Sequence, residues 1–558
     1  MLNTSKIEIQ RLVKFCEDFG IVDAVIAPGS RNAPLTIAFN RSSKIQTKTV
    51  ADERVAGFMA LGMSLKSGKP TVLVCTSGSA CLNFAPAIVE AYYQGVPMLV
   101  LTADRPLALL DNGHGQTINQ SNVYANYIKG FFSIEEDLSD DFNNDEKIIE
   151  ALLLTQTDNK GPVHLNVPMQ EPLYDLIEEI QWSPLEFIPM VRSPLFSWMD
   201  VWQEYEQSAK VIAIAGQECQ GDYQSYLYEV CQSQNIVLLT EATSNLEGEG
   251  VIHSIDRVLS SMDAQEQKYM APDLVISFGG AVVSKKIKEY LNRIRPSFHW
   301  NVGVQSSKAD TYEVLSQIIN VSEREFLEQL SSKSKKAAVF LKKWSEVNSR
   351  SSIVHSSFMD SLPWSDYKVF ELILNRIPSL TDVHLGNSTV VRYANLFDIG
   401  GRNKFFCNRG TSGIDGIAST AFGAQLTSVS DHSVATVITG DISFMYDSNA
   451  LWHNYNKEAN LKVILINNGG GAIFRIIPGP DQLEELETYF DCYSTVDVSA
   501  IAKGFGVGYR LAESAQELQR ELDALYLNNE VEILEVRTKG DISAEVLRSY
   551  FKELKESR

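Results

Sequence analysis

GDISFMYDSNALWHNYNKEANLKVILINNGGGAIF, residues 440–474, is the stretch from which the fold can be read. An apolar run, SVATVIT, leads into Gly440-Asp441, and a second one, LKVILI, leads into Asn467-Asn468. The residues between, Tyr446 to Asn456, read as helical. A strand–helix–strand unit brings the carboxyl ends of both strands to one edge of a parallel sheet, where such sheets bind ligands. A carboxylate and an amide oxygen then meet at that edge, followed by glycines that allow close backbone approach. Hard oxygen donors of this kind suit Mg²⁺ shared with phosphate oxygens. The same residues also fit an ordinary α/β turn with an Asp cap, so the rest of the chain has to decide.

With 558 residues the chain exceeds a single core, and three or four domains are expected. Hydrophobic residues make up 44% and charged residues 21%, the balance of a globular protein. A net charge of −21 argues against nucleic acid or an anionic membrane surface as partner. It also means that an anionic substrate must be drawn by a local basic cluster. The seven cysteines are scattered and never spaced C-x-x-C, which fits a reducing compartment and disfavours zinc. The N-terminal residues carry charges throughout, and no apolar run approaches the roughly 18 residues of a membrane helix. A cytoplasmic protein without a membrane span is expected.

Strand and helix patterns alternate from residue 1 to about 180. Strands are expected at 22–27, 71–76, 97–102 and 162–167, and helices at Glu53–Lys66 and Ala80–Tyr93. Three prolines within 181–195 suit a linker. A second block has strands at 210–216, 235–240 and 273–280. Residues 331–362 read as a crossing helix and a second, serine-rich linker. The third block ends in a strand at 530–538. The expectation is α/β: three doubly wound, mostly parallel-sheet domains at 1–180, 195–345 and 362–558. An internal echo links the first and third. Pro28-Gly29-Ser30 and Gly386-Asn387-Ser388 both follow strands, and Thr76-Ser77-Gly78 and Thr411-Ser412-Gly413 both precede helices.

Gly-Asp, 24 residues from Ser443 to Ile466 after the Gly-Asp-Ile triplet, and then Asn-Asn resembles the signature of the thiamine-diphosphate enzymes. Ile442 departs from the glycine usual at that position. The segments ADERVAGFMALG and TVLVCTSGSACLNFAPAIVEAYY are similar to the pyrimidine-binding core of the same family. The resemblance implies thiamine diphosphate with Mg²⁺ or Mn²⁺ as cofactors. The metal would be held by Asp441, Asn468 and the carbonyl of Gly470. Ile473 and Phe474 would contact the cofactor, and Ile414 would wedge it into its bent form. Glu53 would bond the aminopyrimidine and activate it, with no histidine required. The resemblance also implies a homo-oligomer, dimer or tetramer, with active sites between subunits.

APGSRNAPLTIAF (27–39), TADRPLALLDNGHGQTINQ (102–120), GNSTVVR (386–392), NRGTSGIDG (408–416) and SFGGAVVSKK (277–286) are similar to one branch of that family. Its members join 2-oxoglutarate to isochorismate in menaquinone biosynthesis. Both substrates are dicarboxylates, which arginine forks grip bidentately. The motif loops supply Arg31, Arg105, Arg392 and Arg409, with Lys285 and Lys286, while Ser30, Gln116 and Ser388 add neutral hydrogen bonds. Gly115 stands where the branch has asparagine, beside His114. Another thiamine-dependent 2-oxoacid decarboxylase or carboligase, and a cofactor-less paralogue, are the alternatives. The arginine set speaks against the first, and intact Glu53, Asp441 and Asn468 against the second.

Overall fold

The structure, a computed structural model, describes residues 2–134, 141–157, 159–187, 196–217, 223–304, 310–399, 401–427, 429, 433–477, 479–492 and 495–556. Cys219 and residues 188–195 of the expected first linker lie outside them. Two compact units divide the chain. The first is Met1–Arg192, Gly410–Ser433 and Tyr446–Leu461; the second is Ser193–Arg409, Val434–Met445 and Lys462–Arg558.

The first unit is built on strands β1 (Asp23–Ile26), β2 (Gln46–Thr49), β3 (Thr71–Cys75), β4 (Met98–Asp104), β5 (Phe131–Ser133) and β6 (Pro162–Pro168). Their order across the sheet is β2-β1-β3-β4-β6-β5, and the pairs are parallel. β3 and β4 are buried at every position, as continuous apolar runs between helix layers must be.

Helix Glu53–Ser67 opens at Asp52, whose carboxylate accepts from Arg54 N and Val55 N, and closes at left-handed Gly68. Residues 55–64 of this helix and all of helix Ile417–Leu426 are buried. The two cross with their backbones in contact. A Cβ at Gly62 would stand 1.9 Å from the Thr420 carbonyl oxygen, and one at Gly423 would stand 2.0 Å from that of Met59.

The second unit contains two sheets. β7 (Val211–Ala215), β8 (Val237–Leu239), β9 (Leu274–Phe278), β10 (Phe298–Val302) and β11 (Leu315–Ile319) form a parallel sheet ordered β8-β7-β9-β10-β11. Side chains alternate between its faces. Val211, Ala213 and Ala215 join one core with Ile276 and Phe278, whereas Ile212 and Ile214 join another with Val275 and Ile287. Helices therefore cover both faces, the doubly wound arrangement. The last sheet comprises β12 (Asp382–Leu385), β13 (Lys404–Phe406), β14 (Ala435–Gly440), β15 (Leu461–Asn467), β16 (Gly508–Ala512) and β17 (Glu532–Arg537). Its order, β13-β12-β14-β15-β17-β16, repeats that of the first unit strand for strand. The echo between the first and third blocks is thus a repeat of topology.

Three local expectations change. Asp441 starts a helix, Asp441–Tyr446, and the span read as helical from Tyr446 to Asn456 is a 3-10 turn, Ser448–Leu451, plus irregular chain. Its polar side chains are committed elsewhere. Asp447 accepts from Ser419 N and Oγ, and Asn449 Nδ2 donates to Asp52. The helix expected at Ala80–Tyr93 is split into Ala80–Asn83 and Ala85–Gln94, with Pro86 in the first turn of the second. The serine-rich tract is helical, within Ala338–Met359. Ser345, Ser349 and Ser351 donate back to carbonyls three or four residues earlier, and Phe340, Trp344 and Val347 are buried.

The helix crossing gives a direct test. Gly62→Ala is expected to cost about 3 kcal/mol, because both contacting atoms are backbone and cannot move aside. Gly504→Ala, in open space within helix Val498–Phe505, is expected to add up to about 1 kcal/mol. Urea unfolding midpoints of the two variants check both signs.

Candidate active site

In the second unit the motif loops gather at one edge of the last sheet. Its strand order reverses between β12 and β14, the switch point where open sheets bind ligands. Gly386-Asn387-Ser388 leaves β12 there, Gly440-Asp441 leaves β14, and Asn467-Asn468 leaves β15. Asp441 is 4% exposed; its carboxylate accepts from Ile442 N at 2.8 Å and Gly469 N at 3.1 Å. Burial pushes it up to about 6. Asn468 Nδ2 donates to Asp366 Oδ2 at 2.8 Å, which fixes the amide, while its buried Oδ1 has no hydrogen-bond partner. Asp366, itself raised by burial, accepts from Thr538 Oγ1 at 2.5 Å.

Gly470 has φ +150°, and a Cβ there would meet the Asp491 carbonyl oxygen at 2.3 Å. Ile473 and Phe474 follow in the turn Ala472–Arg475, with the Phe474 ring 5.5 Å from that of Phe490. Among the described residues no group of three His, Cys, Asp or Glu could hold a metal by itself. A cation at this loop would therefore draw on one carboxylate, one amide oxygen and a backbone carbonyl. The orphan oxygen of Asn468 and the glycine-lined loop fit a magnesium–diphosphate group.

Basic residues of the same unit meet nearby acids. Arg409 Nη1 donates to Asn387 Oδ1 at 2.7 Å, and Asn387 Nδ2 donates to Asn408 O at 2.7 Å. Arg392 lies on helix Thr389–Ala394, which begins after Ser388 at φ +69°, ψ −124°, a conformation rarely adopted by a serine. Burial and the charge of Arg409 lower the pKa of Arg392. Arg392 lines a small cleft with Glu241, Asp256 and Ser284. Glu241 accepts from Val283 N and Ser284 N, both at 2.6 Å, and burial pushes it up to about 7. Lys285 is exposed, and Lys286 Nζ lies 4.2 Å from the Phe551 ring centroid.

The first unit holds the remaining predicted residues. Glu53 is half-buried in the first turn of its helix, and its Oε2 accepts from Asn83 Nδ2 at 3.3 Å. Arg54 Nη2 donates to Tyr446 O at 2.6 Å. Arg105 Nη1 joins Ser77 Oγ at 2.6 Å and the Gln116 carbonyl at 2.8 Å. Arg31 is buried against Met169 O and paired with Glu171, whereas Ser30 is exposed. A side chain at Gly115 would meet nothing within 4 Å, so the backbone does not demand glycine there. Ile414 is 38% exposed, unusually for isoleucine, and next to it a Cβ at Gly416 would stand 2.3 Å from the Phe58 ring. Buried Glu90 anchors that loop, accepting from Gly410 N, Thr411 N and Thr411 Oγ1. Burial lowers His164 to about 3 and His299, His355 and His453 to about 4, so these four stay neutral at pH 7.

Sequence reasoning did not find Asp366, Glu90, Glu241 or Asn83. Asp366 and Glu241 lie far along the chain from the loops they hold and match no motif. Asn83 and Glu90 stand inside a quoted motif, and their acid or amide groups at otherwise apolar helix positions were the available signal.

Three family profiles match the chain in order. They are the N-terminal TPP binding domain of thiamine pyrophosphate enzymes at 9–123, the middle domain of thiamine pyrophosphate enzymes at 189–379, and the C-terminal TPP binding domain at 385–536. The fold and loops just described are thus those of a thiamine pyrophosphate enzyme. Similar proteins narrow the class. The 2-succinyl-5-enolpyruvyl-6-hydroxy-3-cyclohexene-1-carboxylate synthase of Flavobacterium johnsoniae is 38% identical over 98% of both chains. Those of Cytophaga hutchinsonii, 39% identical over 96% of this chain and 97% of that one, and Porphyromonas gingivalis, 37% over 97% and 96%, carry the same name. The chain belongs to this synthase family.

Asp366 orients the Asn468 amide. Asp366→Ala is expected to weaken Mg²⁺-dependent thiamine-diphosphate binding by roughly 10- to 100-fold. Titration of intrinsic tryptophan fluorescence with cofactor at fixed metal measures it.

Proposed function

We propose that the chain decarboxylates 2-oxoglutarate and adds the remaining four-carbon unit to isochorismate. The products are 2-succinyl-5-enolpyruvyl-6-hydroxy-3-cyclohexene-1-carboxylate and carbon dioxide, within menaquinone biosynthesis. The observation that carries this reading is the cleft bearing Arg392, with Arg409 close by, in the same unit as the Asp441–Asn468 loop. Smaller, less basic pockets suit the other 2-oxoacid carboligases, and the arginines favour dicarboxylates.

Thiamine diphosphate, when bound, supplies a carbanion centre and an electron sink. Asp441, the side-chain oxygen of Asn468 and the Gly470 carbonyl would hold its Mg²⁺ or Mn²⁺. Ile473 and Phe474 would pack against it, and the half-exposed side chain of Ile414 would offer it an apolar surface. Glu53 would accept a hydrogen bond from the pyrimidine ring and so hold a proton there. Arg392 and Arg409, with Ser388, Lys285 and Lys286, hold substrate carboxylates. Arg31, Arg105, Ser30 and Gln116 do the same from the first unit. Domains at 1–180, 195–345 and 362–558, a homo-oligomer with sites shared between subunits, and a cytoplasmic location complete the proposal.

Purified protein with thiamine diphosphate and Mg²⁺ is expected to consume isochorismate only when 2-oxoglutarate is present, followed as loss of isochorismate absorbance. Glu53→Gln should lower that rate by roughly 10²–10⁴-fold, the range for a lost acid–base function. Arg392→Ala should raise KM for one substrate at least tenfold, roughly 1.4 kcal/mol, with cofactor affinity unchanged. Full activity in Glu53→Gln, or equal losses of cofactor and substrate affinity in Arg392→Ala, contradicts the assigned roles.

A further inference from the structure

Gly469, Gly470 and Gly471 follow Asn468 in an unbroken run, and glycine has little preference of its own for any one backbone conformation. A carbonyl offered from such a run keeps a fixed direction only if partners outside the run hold it. Gly469 N donates to the Asp441 carboxylate at 3.1 Å. The next peptide is held from further along the chain, where Gly471 N donates to the Asp491 carbonyl oxygen at 2.5 Å. The N–H of Gly471 and the carbonyl of Gly470 belong to one planar, trans peptide unit. Pinning the N–H to Asp491 therefore aims the Gly470 oxygen the opposite way. That oxygen accepts from Ala472 N at 3.0 Å, and a carbonyl has a second lone pair with which to meet a metal.

Asp491 is itself fixed through its side chain. It is buried at the end of the π-helical segment Leu486–Asp491, and its Oδ2 accepts from Arg475 Nε at 2.9 Å and from Nη2 of the same guanidinium. Charge-assisted bonds of this kind are among the strong ones, and both side chains are largely shielded from water. Arg475 ends the turn Ala472–Arg475, and its carbonyl accepts from Arg548 Nη1 at 2.7 Å, on helix Gly540–Glu556. The ion pair thus ties the far end of the glycine loop to the residue that pins its middle.

We propose that Asp491 and Arg475 are positioning residues for the metal: as a pair they hold the Gly470–Gly471 peptide so that its carbonyl faces the cation of the cofactor. This rests on the metal ligands proposed above and not on the choice of substrates. Mg²⁺ demands near-octahedral ligation at short, fixed distances, whereas Ca²⁺ accepts more oxygens in a looser arrangement. A loosened carbonyl is therefore felt by Mg²⁺ more than by Ca²⁺, a preference that a general loss of stability does not produce.

The test is calorimetric titration of the full-length protein with Mg²⁺ and, separately, with Ca²⁺, at saturating thiamine diphosphate. Asp491→Ala and Arg475→Gln are each expected to weaken Mg²⁺ binding by roughly 10- to 100-fold, the range for groups that orient a metal ligand. Ca²⁺ binding should weaken by less than about threefold. The double variant should be no weaker than the worse single one, because the two side chains act as a unit. Glu487→Ala removes an exposed carboxylate 3.8 Å from Arg475 and should match the parent. Arg475→Gln decides the matter if Asp491→Ala does not fold. Mg²⁺ affinity within twofold of the parent in a folded single variant, or equal losses for the two cations, overturns the proposal. A parent that binds neither cation with thiamine diphosphate overturns the metal-ligand reading and, with it, this one.

Discussion

Two helices from distant parts of the chain touch backbone to backbone, and much of the candidate chemistry in the first unit hangs from that crossing. Gly62 and Gly423 each occupy a place where a single added carbon would collide with a carbonyl oxygen of the other helix. Glu53 stands at the start of one helix, and Ile414 lies just before the other. Gly416, pressed on Phe58, ties the second helix to the first at the end nearest both residues. Small residues here let helices from sequence positions some 360 apart meet without side chains between them.

Buried acids play the matching part elsewhere. Asp366, Glu90 and Glu241 are each raised by desolvation, and each is opposed by two or three hydrogen-bond donors. Such groups are costly unless fully bonded, so their partners are held tightly in return. Asp366 holds the Asn468 amide, Glu90 holds the Gly410-Thr411 turn, and Glu241 holds the start of helix Lys285–Ile294. The residues expected to meet ligands sit on strand ends and helix starts, and the acids behind them set their orientation.

Much of the fold was legible because parallel strands buried on both faces are written as unbroken apolar runs, and those at 71–75, 98–104 and 461–467 read directly. The loops after β14 and β15 were legible because Gly440-Asp441 and Asn467-Asn468 each close an unbroken apolar run. The helix expected at Tyr446–Asn456 failed because Asp447 and Asn449 are engaged by Ser419 and Asp52, partners a local reading cannot see. The serine tract read as a linker for the same reason: Phe340, Trp344 and Val347 are buried by residues remote in sequence.

The central claim is a coupled reaction, and stoichiometry tests it most directly. 2-Oxoglutarate labelled at carbon 1 should release one labelled carbon dioxide for each isochorismate consumed, with thiamine diphosphate and Mg²⁺ present. Carbon dioxide released from 2-oxoglutarate while isochorismate is left intact would keep the thiamine site but contradict the carboligation assigned to this chain.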